Sequence, residues 1–198
     1  TALYYAQRAS AGLIISEGIA PSANGLGYCR TPGLFNAAQI DAWSRITAGV
    51  HAAGGKIVAQ LMHVGRVASQ LNKLAGSETV APSPIQARGE MYTDQSGMVP
   101  FDSPRELRLE EIGAVIEEFR QATQNAFSAG FDGVELHCTS GYLPAQFLST
   151  GTNQRSDAYG GNVQNRCRFP LEVLAAMASV DGSDRVGMRI CPDNPFND

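Results

Sequence analysis

A histidine, a serine and a tyrosine lie within six positions of one another, directly after an apolar segment. The segment Phe131 to His137 reads as a buried strand, and Ser140 and Tyr142 follow His137. Imidazole and hydroxyl groups can stabilise a developing oxyanion, and a phenol can donate a proton. These residue types at this spacing indicate chemistry on a carbonyl-conjugated substrate.

Strand and helix patterns alternate along the whole chain. Short apolar runs predict strands at Gly12 to Gly18, Lys56 to Leu61, Phe131 to His137 and Val186 to Ile190. Apolar residues at three- and four-residue spacing predict helices over Ile40 to Val50, Leu109 to Ala126 and Val163 to Ser179. This order implies right-handed parallel crossovers and therefore the α/β class. A barrel and an open doubly wound sheet are both compatible with it, although neither GxGxxG nor GxxxxGK[ST] occurs.

The phase of three predicted strands places a large polar residue near the end of each. Gln60, His137 and Arg189 alternate with apolar neighbours, so they share the face opposite those neighbours. In a parallel barrel the apolar face packs on the surrounding helices, and active sites lie at the carboxyl ends of the strands. The shared side of the alternation therefore predicts one site formed by these three residues. Each residue alone could equally well be a buried polar residue whose hydrogen bonds are satisfied within the core.

Length and composition limit the possible architectures and partners. The chain has 198 residues, enough for one domain but short of the roughly 250 of a closed (β/α)8 barrel. A net charge of -4 without clustered Lys or Arg disfavours nucleic acid as a partner, and no apolar run is long enough to span a membrane. The four cysteines lack CxxC spacing, which favours reduced thiols and a cytoplasmic protein. Three scattered histidines give no HxH or HExxH spacing, so no metal site is expected.

A long polar stretch separates the second predicted strand from the helix that begins near Leu109. It runs from His63 to about Arg105 and contains several prolines. Connections of this length inside a compact domain are usually binding loops or lids. We refer to it as the excursion.

Several motifs resemble a known family when they are taken in order. GLIISEG, VAQLMHVGR, FDGVELHCTSGYLPAQFLSTGTNQRSDAYGGNVQNRCRF and VGMRICP look like the Old Yellow Enzyme family of FMN-dependent ene-reductases, including its N-ethylmaleimide reductase branch. The resemblance covers nearly the whole chain and is most specific between His137 and Arg168. It implies a (β/α)8 TIM barrel, of which residues 1–198 would form a single incomplete FMN-binding domain with about the second to fifth strand-helix units.

The resemblance also implies roles for particular residues around the flavin. Gly18 and Gln60 would line the FMN, and Arg189 would lie beside its pyrimidine edge. A fixed guanidinium at that edge would stabilise negative charge on the reduced cofactor.

Substrate roles are implied for the residues that follow the third strand. His137 would donate a hydrogen bond to the substrate carbonyl, and Tyr142 would protonate the α-carbon. Ser140 stands where the family carries Asn or His as a second donor to the same oxygen. Serine keeps an O–H donor on a shorter side chain than asparagine.

The implied reaction has two halves, in which NAD(P)H reduces FMN and the flavin then reduces the C=C bond of a small α,β-unsaturated carbonyl compound. A competing hypothesis belongs to another class: a non-catalytic half-barrel that does not retain FMN. It rests on the expectation that the phosphate-binding loops after the seventh and eighth strands lie outside this chain.

Overall fold

The computed structural model describes residues 1–197. The strands, in chain order, are β1 (Ile14–Ile19), β2 (Ile57–Leu61), β3 (Val80–Ala81), β4 (Glu90–Thr93), β5 (Gly97–Pro100), β6 (Arg105–Glu106), β7 (Gly133–His137) and β8 (Val186–Arg189). The α-helices are α1 (Ala2–Ala6), α2 (Ala37–Ala52), α3 (Leu109–Ser128), α4 (Leu143–Leu148) and α5 (Val163–Asp181). Every predicted strand and helix is present, with bounds shifted by a few residues.

The main sheet contains four parallel strands in the order β1-β2-β7-β8, which is also their order along the chain. Helices α2, α3 and α5 connect successive strands, so the α/β prediction is confirmed. Within residues 1–197, none of the helices is long and apolar enough to cross a membrane.

One face of this sheet forms the main hydrophobic core. Ile57, Ala59 and Leu61 of β2 are fully buried in the same cluster as Val134 and Leu136 of β7. Helices α2, α3 and α5 contribute Trp43, Ile46, Val50, Ile112, Phe119, Ala126, Phe169, Val173 and Met177 to that cluster. A doubly wound sheet would be covered by helices on both faces, so helices on a single face favour part of a barrel.

The opposite face, which we call the inner face, is more polar. Val58, Gln60 and Glu135 are half-buried on it, as the predicted alternation requires. Strand β8 follows this alternation less completely: Val186 packs against the core cluster, but Met188 and Ile190 are exposed. Both side chains lie on the side of the alternation that is buried in β2 and β7.

A local irregularity in β1 affects the neighbouring strand. The pairing of β1 with β2 shifts register between Ile15 and Gly18, which is the signature of a β-bulge. The Ser16 hydroxyl takes the place of a backbone acceptor there, because the Gln60 backbone N–H donates to it at 2.9 Å. The bulge brings Gly18 opposite Gln60.

The excursion is an ordered part of the fold. It contains the antiparallel hairpin β4–β5 and the parallel pair β3–β6. Its apolar side chains form a second cluster with Met62 and Tyr142, to which they contribute Val64, Val67, Ala68, Ala87, Met91 and Phe101. The strands of the excursion have two to four residues and α4 has six, and none of them was predicted from the sequence.

Arg155 joins the excursion to the loop that follows α4. Its guanidinium is almost fully buried and donates to Pro82 O at 3.0 Å and to Leu107 O. The same group pairs with Asp157 Oδ2 at 2.6 Å. One side chain therefore satisfies acceptors from three parts of the chain.

Replacing Arg155 with Ala should lower the free energy of unfolding by about 3 kcal/mol, because it leaves buried acceptors and a carboxylate without their donor. Urea unfolding monitored by circular dichroism would measure the loss. Arg120→Ala is the matched control, since Arg120 pairs with Glu117 on the surface of α3 and should cost under about 1 kcal/mol. Equal losses in the two variants would contradict the role given to Arg155.

Candidate active site

The turn after β7 folds Tyr142 back onto His137. Ser140 and Gly141 both adopt positive φ, at 57° and 70°, and the Tyr142 backbone N–H donates to Thr139 O at 3.2 Å. Helix α4 then begins at Leu143. The Tyr142 and His137 rings meet edge to face with their centroids 4.9 Å apart. The structure thus brings together the imidazole and the phenol that the sequence singled out.

Ser140 lies at the most strained position of this turn. The left-handed region is unfavourable for most residues, and glycine and asparagine tolerate it best. The Ser140 carbonyl accepts a hydrogen bond from Asn197 Nδ2 at 2.8 Å, which anchors the turn to the segment after β8. A Cβ on Gly141 would lie 2.8 Å from Asn197 Cβ, so glycine is required there for space as well as conformation.

His137 is held in a form suited to donating one hydrogen bond. Burial lowers the pKa of its imidazole; Glu135 opposes this shift and Arg189 reinforces it. The ring is therefore neutral at pH 7, with one N–H donor and one acceptor nitrogen. His137 Nδ1 is buried and has no hydrogen-bond partner among residues 1–197. A buried polar atom of this kind is typical of a site that is completed by a ligand.

Tyr142 has a second aromatic partner, Tyr28, which the sequence analysis missed. The Tyr142 hydroxyl donates to the Tyr28 hydroxyl at 3.2 Å, and the rings meet edge to face. Burial is the larger cause, and this hydrogen bond the next, of a pKa for Tyr142 that is raised well above 10. Tyr142 therefore carries its proton throughout the physiological range. No local pattern marks Tyr28, which lies 114 residues away in the chain.

The loop that carries Tyr28 is tied to the excursion. Arg30, two positions along, pairs with Asp94 at the tip of the β4–β5 hairpin at 2.7 Å. Met91 of that hairpin belongs to the cluster around Tyr142, and Tyr28 packs against the same cluster. The excursion thus forms one wall around the two tyrosines.

Three polar side chains meet on the inner face of the sheet. Gln60 Nε2 donates to Glu135 Oε1 at 2.7 Å, and Arg189 Nε donates to the same oxygen at 2.8 Å. Gly18 lies beside Gln60 in the strand pairing, and a Cβ on Gly18 would meet Met62 Sδ at 2.6 Å. The residues predicted to line a cofactor are therefore neighbours.

Comparisons with known proteins identify the family to which the chain belongs. The family model described as NADH:flavin oxidoreductase / NADH oxidase matches residues 1–198. The chain belongs to this family. Morphinone reductase, solved in complex with tetrahydroNAD, superposes with a TM-score of 0.94 at 47% identity, covering 99% of this chain and 55% of that one. An Old Yellow Enzyme homologue from Zymomonas mobilis superposes with a TM-score of 0.95 at 44% identity, covering 99% and 54%.

A curated relative is similar to the chain over a comparable share of its length. The chain is 44% identical over 192 residues to 12-oxophytodienoate reductase 7 of Oryza sativa subsp. japonica, covering 96% of this chain and 49% of that protein. The chain thus spans about half the length of the flavin oxidoreductases that it matches. These comparisons confirm the resemblance to the Old Yellow Enzyme family and the prediction of a partial TIM barrel.

Tyr142 should not ionise below pH 10, because burial and the Tyr28 hydrogen bond both disfavour the phenolate. The difference in tyrosinate absorbance between the wild type and Tyr142→Phe during alkaline titration would isolate its ionisation. Tyr28→Phe should lower the pKa of Tyr142, since one of the two causes is removed. Ionisation of Tyr142 at or below pH 10 in the wild type would refute the assignment.

Proposed function

We propose that this chain supplies the flavin-facing strands and the substrate-activating turn of an NAD(P)H-dependent FMN oxidoreductase. The proposed reaction reduces the C=C bond of a small α,β-unsaturated carbonyl compound. The observation that carries the proposal is the packing of a protonated Tyr142 on a neutral His137 at the end of β7. The two strands that pair with β7 bear Gln60 and Arg189 on the same inner face. Membership of the flavin oxidoreductase family supports the same reaction class.

The residues on the inner face suit the polar edge of FMN. The pyrimidine ring of a flavin alternates carbonyl and N–H groups, which an amide and a guanidinium can match. Gln60 and Arg189 provide these two groups, and Gly18 beside them keeps the backbone accessible. When bound, FMN would accept hydride from a nicotinamide and supply it to the alkene. Gln60, Arg189 and Gly18 are therefore the residues we assign to holding the cofactor.

His137 and Tyr142 would act on the substrate itself. His137 would donate its N–H to the carbonyl oxygen and stabilise the negative charge that develops there. Tyr142 would give its proton to the α-carbon, acting as the general acid. Ser140 lies between them and would contribute its hydroxyl to the same oxygen, directly or through water. The turn presents these three side chains within one short segment.

A nicotinamide is the proposed reductant. Its chemistry matches the family description, and morphinone reductase has been solved with tetrahydroNAD. The hydrophobic cluster around Tyr28 and Tyr142 would enclose the reacting groups and limit the access of water. In this proposal residues 1–198 belong to one FMN-binding domain.

Retention of FMN tests the proposal directly. The protein should remain yellow after desalting, and its flavin should be bleached by NADH or NADPH and reoxidised by a cyclic enone. A protein that folds but cannot be loaded with FMN would favour the competing hypothesis of a non-catalytic half-barrel.

Tyr142→Phe should slow the alkene-dependent half-reaction by about 10²- to 10⁴-fold, because the general acid is lost. Reduction of the flavin by the nicotinamide should change little, since that step needs no proton from Tyr142. Stopped-flow absorbance of the flavin measures the two half-reactions separately. Equal slowing of both would rule out the proposed role.

Ser140→Asn should raise turnover with a simple cyclic enone by roughly tenfold. One well-placed oxyanion donor is typically worth about 2.7 to 4 kcal/mol, or about 10²- to 10³-fold in rate, and the Ser140 hydroxyl already supplies part of this. Asparagine also tolerates the positive φ of this position. Ser140→Ala serves as the comparison, and its turnover should fall below that of the wild type. Unchanged or reduced turnover in a flavin-loaded Ser140→Asn sample would count against a second donor at this position.

A further inference from the structure

Glu135 lies at the centre of the polar side chains on the inner face. Its Oε1 accepts hydrogen bonds from Gln60 Nε2 at 2.7 Å and from Arg189 Nε at 2.8 Å, and its Oε2 accepts from Arg189 Nη2 at 3.3 Å. The Glu135 side chain is 12% exposed, whereas that of Arg189 is 45% exposed. A largely buried carboxylate thus holds two neighbours, one on each adjacent strand.

The strand pairing explains why Glu135 reaches both. Gln60 lies directly opposite Glu135 in the pairing of β2 with β7. On the other side, Glu135 pairs with Gly187, and Arg189 lies two residues further along β8. Because Gly187 has no side chain, the Arg189 guanidinium can reach back across it to the carboxylate. A larger residue at position 187 would share this face and stand between the two groups.

The chemistry of the carboxylate fixes the orientation of both partners. An ionised carboxylate can only accept hydrogen bonds, so the NH₂ group of Gln60 must face Glu135 and its carbonyl oxygen must face away. The guanidinium presents two N–H groups to the two carboxylate oxygens, which restricts its rotation. The charges of Glu135 and Arg189 also offset one another, so the three side chains together carry no net charge.

We propose that Glu135 is a positioning residue, which orients the Gln60 amide and the Arg189 guanidinium toward the flavin and sets the net charge that they present to it. This inference rests on the proposed function, since it concerns the same cofactor face. It assigns to Glu135 no contact with substrate and no proton transfer.

Two substitutions separate the charge of Glu135 from its geometry. Glu135→Gln keeps the length of the side chain but removes the negative charge, leaving Arg189 uncompensated. The midpoint potential of bound FMN should then rise, because the extra positive charge stabilises the reduced, more negative flavin. Glu135→Asp keeps the charge but shortens the reach. Its affinity for FMN should fall by about tenfold, while its midpoint potential stays near that of the wild type.

Glu111→Gln is the matched control. Glu111 also binds an arginine, Arg105, and has a side chain 22% exposed, but it lies at the start of α3 away from the inner face. The Glu111→Gln substitution should leave both the midpoint potential of bound FMN and the affinity for FMN unchanged. Urea unfolding of each flavin-free variant would separate a loss of FMN affinity from a loss of fold stability.

The measurements are spectroelectrochemical titration of the FMN-loaded protein and fluorescence titration of the flavin-free protein with FMN. A raised potential in Glu135→Gln, together with weakened binding in Glu135→Asp, would support the inference. A wild-type potential in Glu135→Gln, or wild-type FMN affinity in Glu135→Asp, would overturn it while leaving the proposed function intact. Failure of the folded wild type to bind FMN would overturn both.

Discussion

The alternation of side chains along parallel strands is the constraint on which the rest of this structure depends. In β2 and β7 every second residue is apolar and buried against helices, so the remaining residues must face the other side of the sheet. That side needs no helix to cover it and can carry polar groups that satisfy one another. Gln60, Glu135 and Arg189 do so across three strands. The same phase brings His137 to the end of β7, where the chain leaves the sheet.

The turn after β7 brings the Tyr142 side chain into contact with His137, the last residue of the strand. Two consecutive residues with positive φ reverse the chain sharply enough for Tyr142 to pack on the ring of His137. Neither ring is fixed by the turn alone. Tyr28 contacts the phenol from the loop after β1, and the excursion encloses it with apolar side chains. Parts of the chain distant in sequence therefore determine the protonation and orientation of a group that belongs to one short segment.

The sequence predicted those features that rest on local periodicity, and it missed those that rest on long-range contacts. The main strands and the helices α2, α3 and α5 carry enough apolar repeats to be recognised, and the phase of Gln60 and His137 followed from them. Glu135 could be placed on the same face, but its bonds to Gln60 and Arg189 depend on strand order and register. Tyr28 and the small strands of the excursion had no local signal. The exposure of Met188 and Ile190 could not be inferred from the strand pattern, because burial depends on what packs against a strand.

The hydrogen bond between Tyr28 and Tyr142 has a consequence for the order of folding. These hydroxyls are separated by 114 residues, and the strands β1, β2 and β7 lie between or beside them. Closing so large a loop costs conformational entropy, which the parallel strand pairings help to offset. The two tyrosines should therefore come into contact late, after the sheet has formed. Residues that act together in the finished molecule would then be among the last to meet during its synthesis and folding.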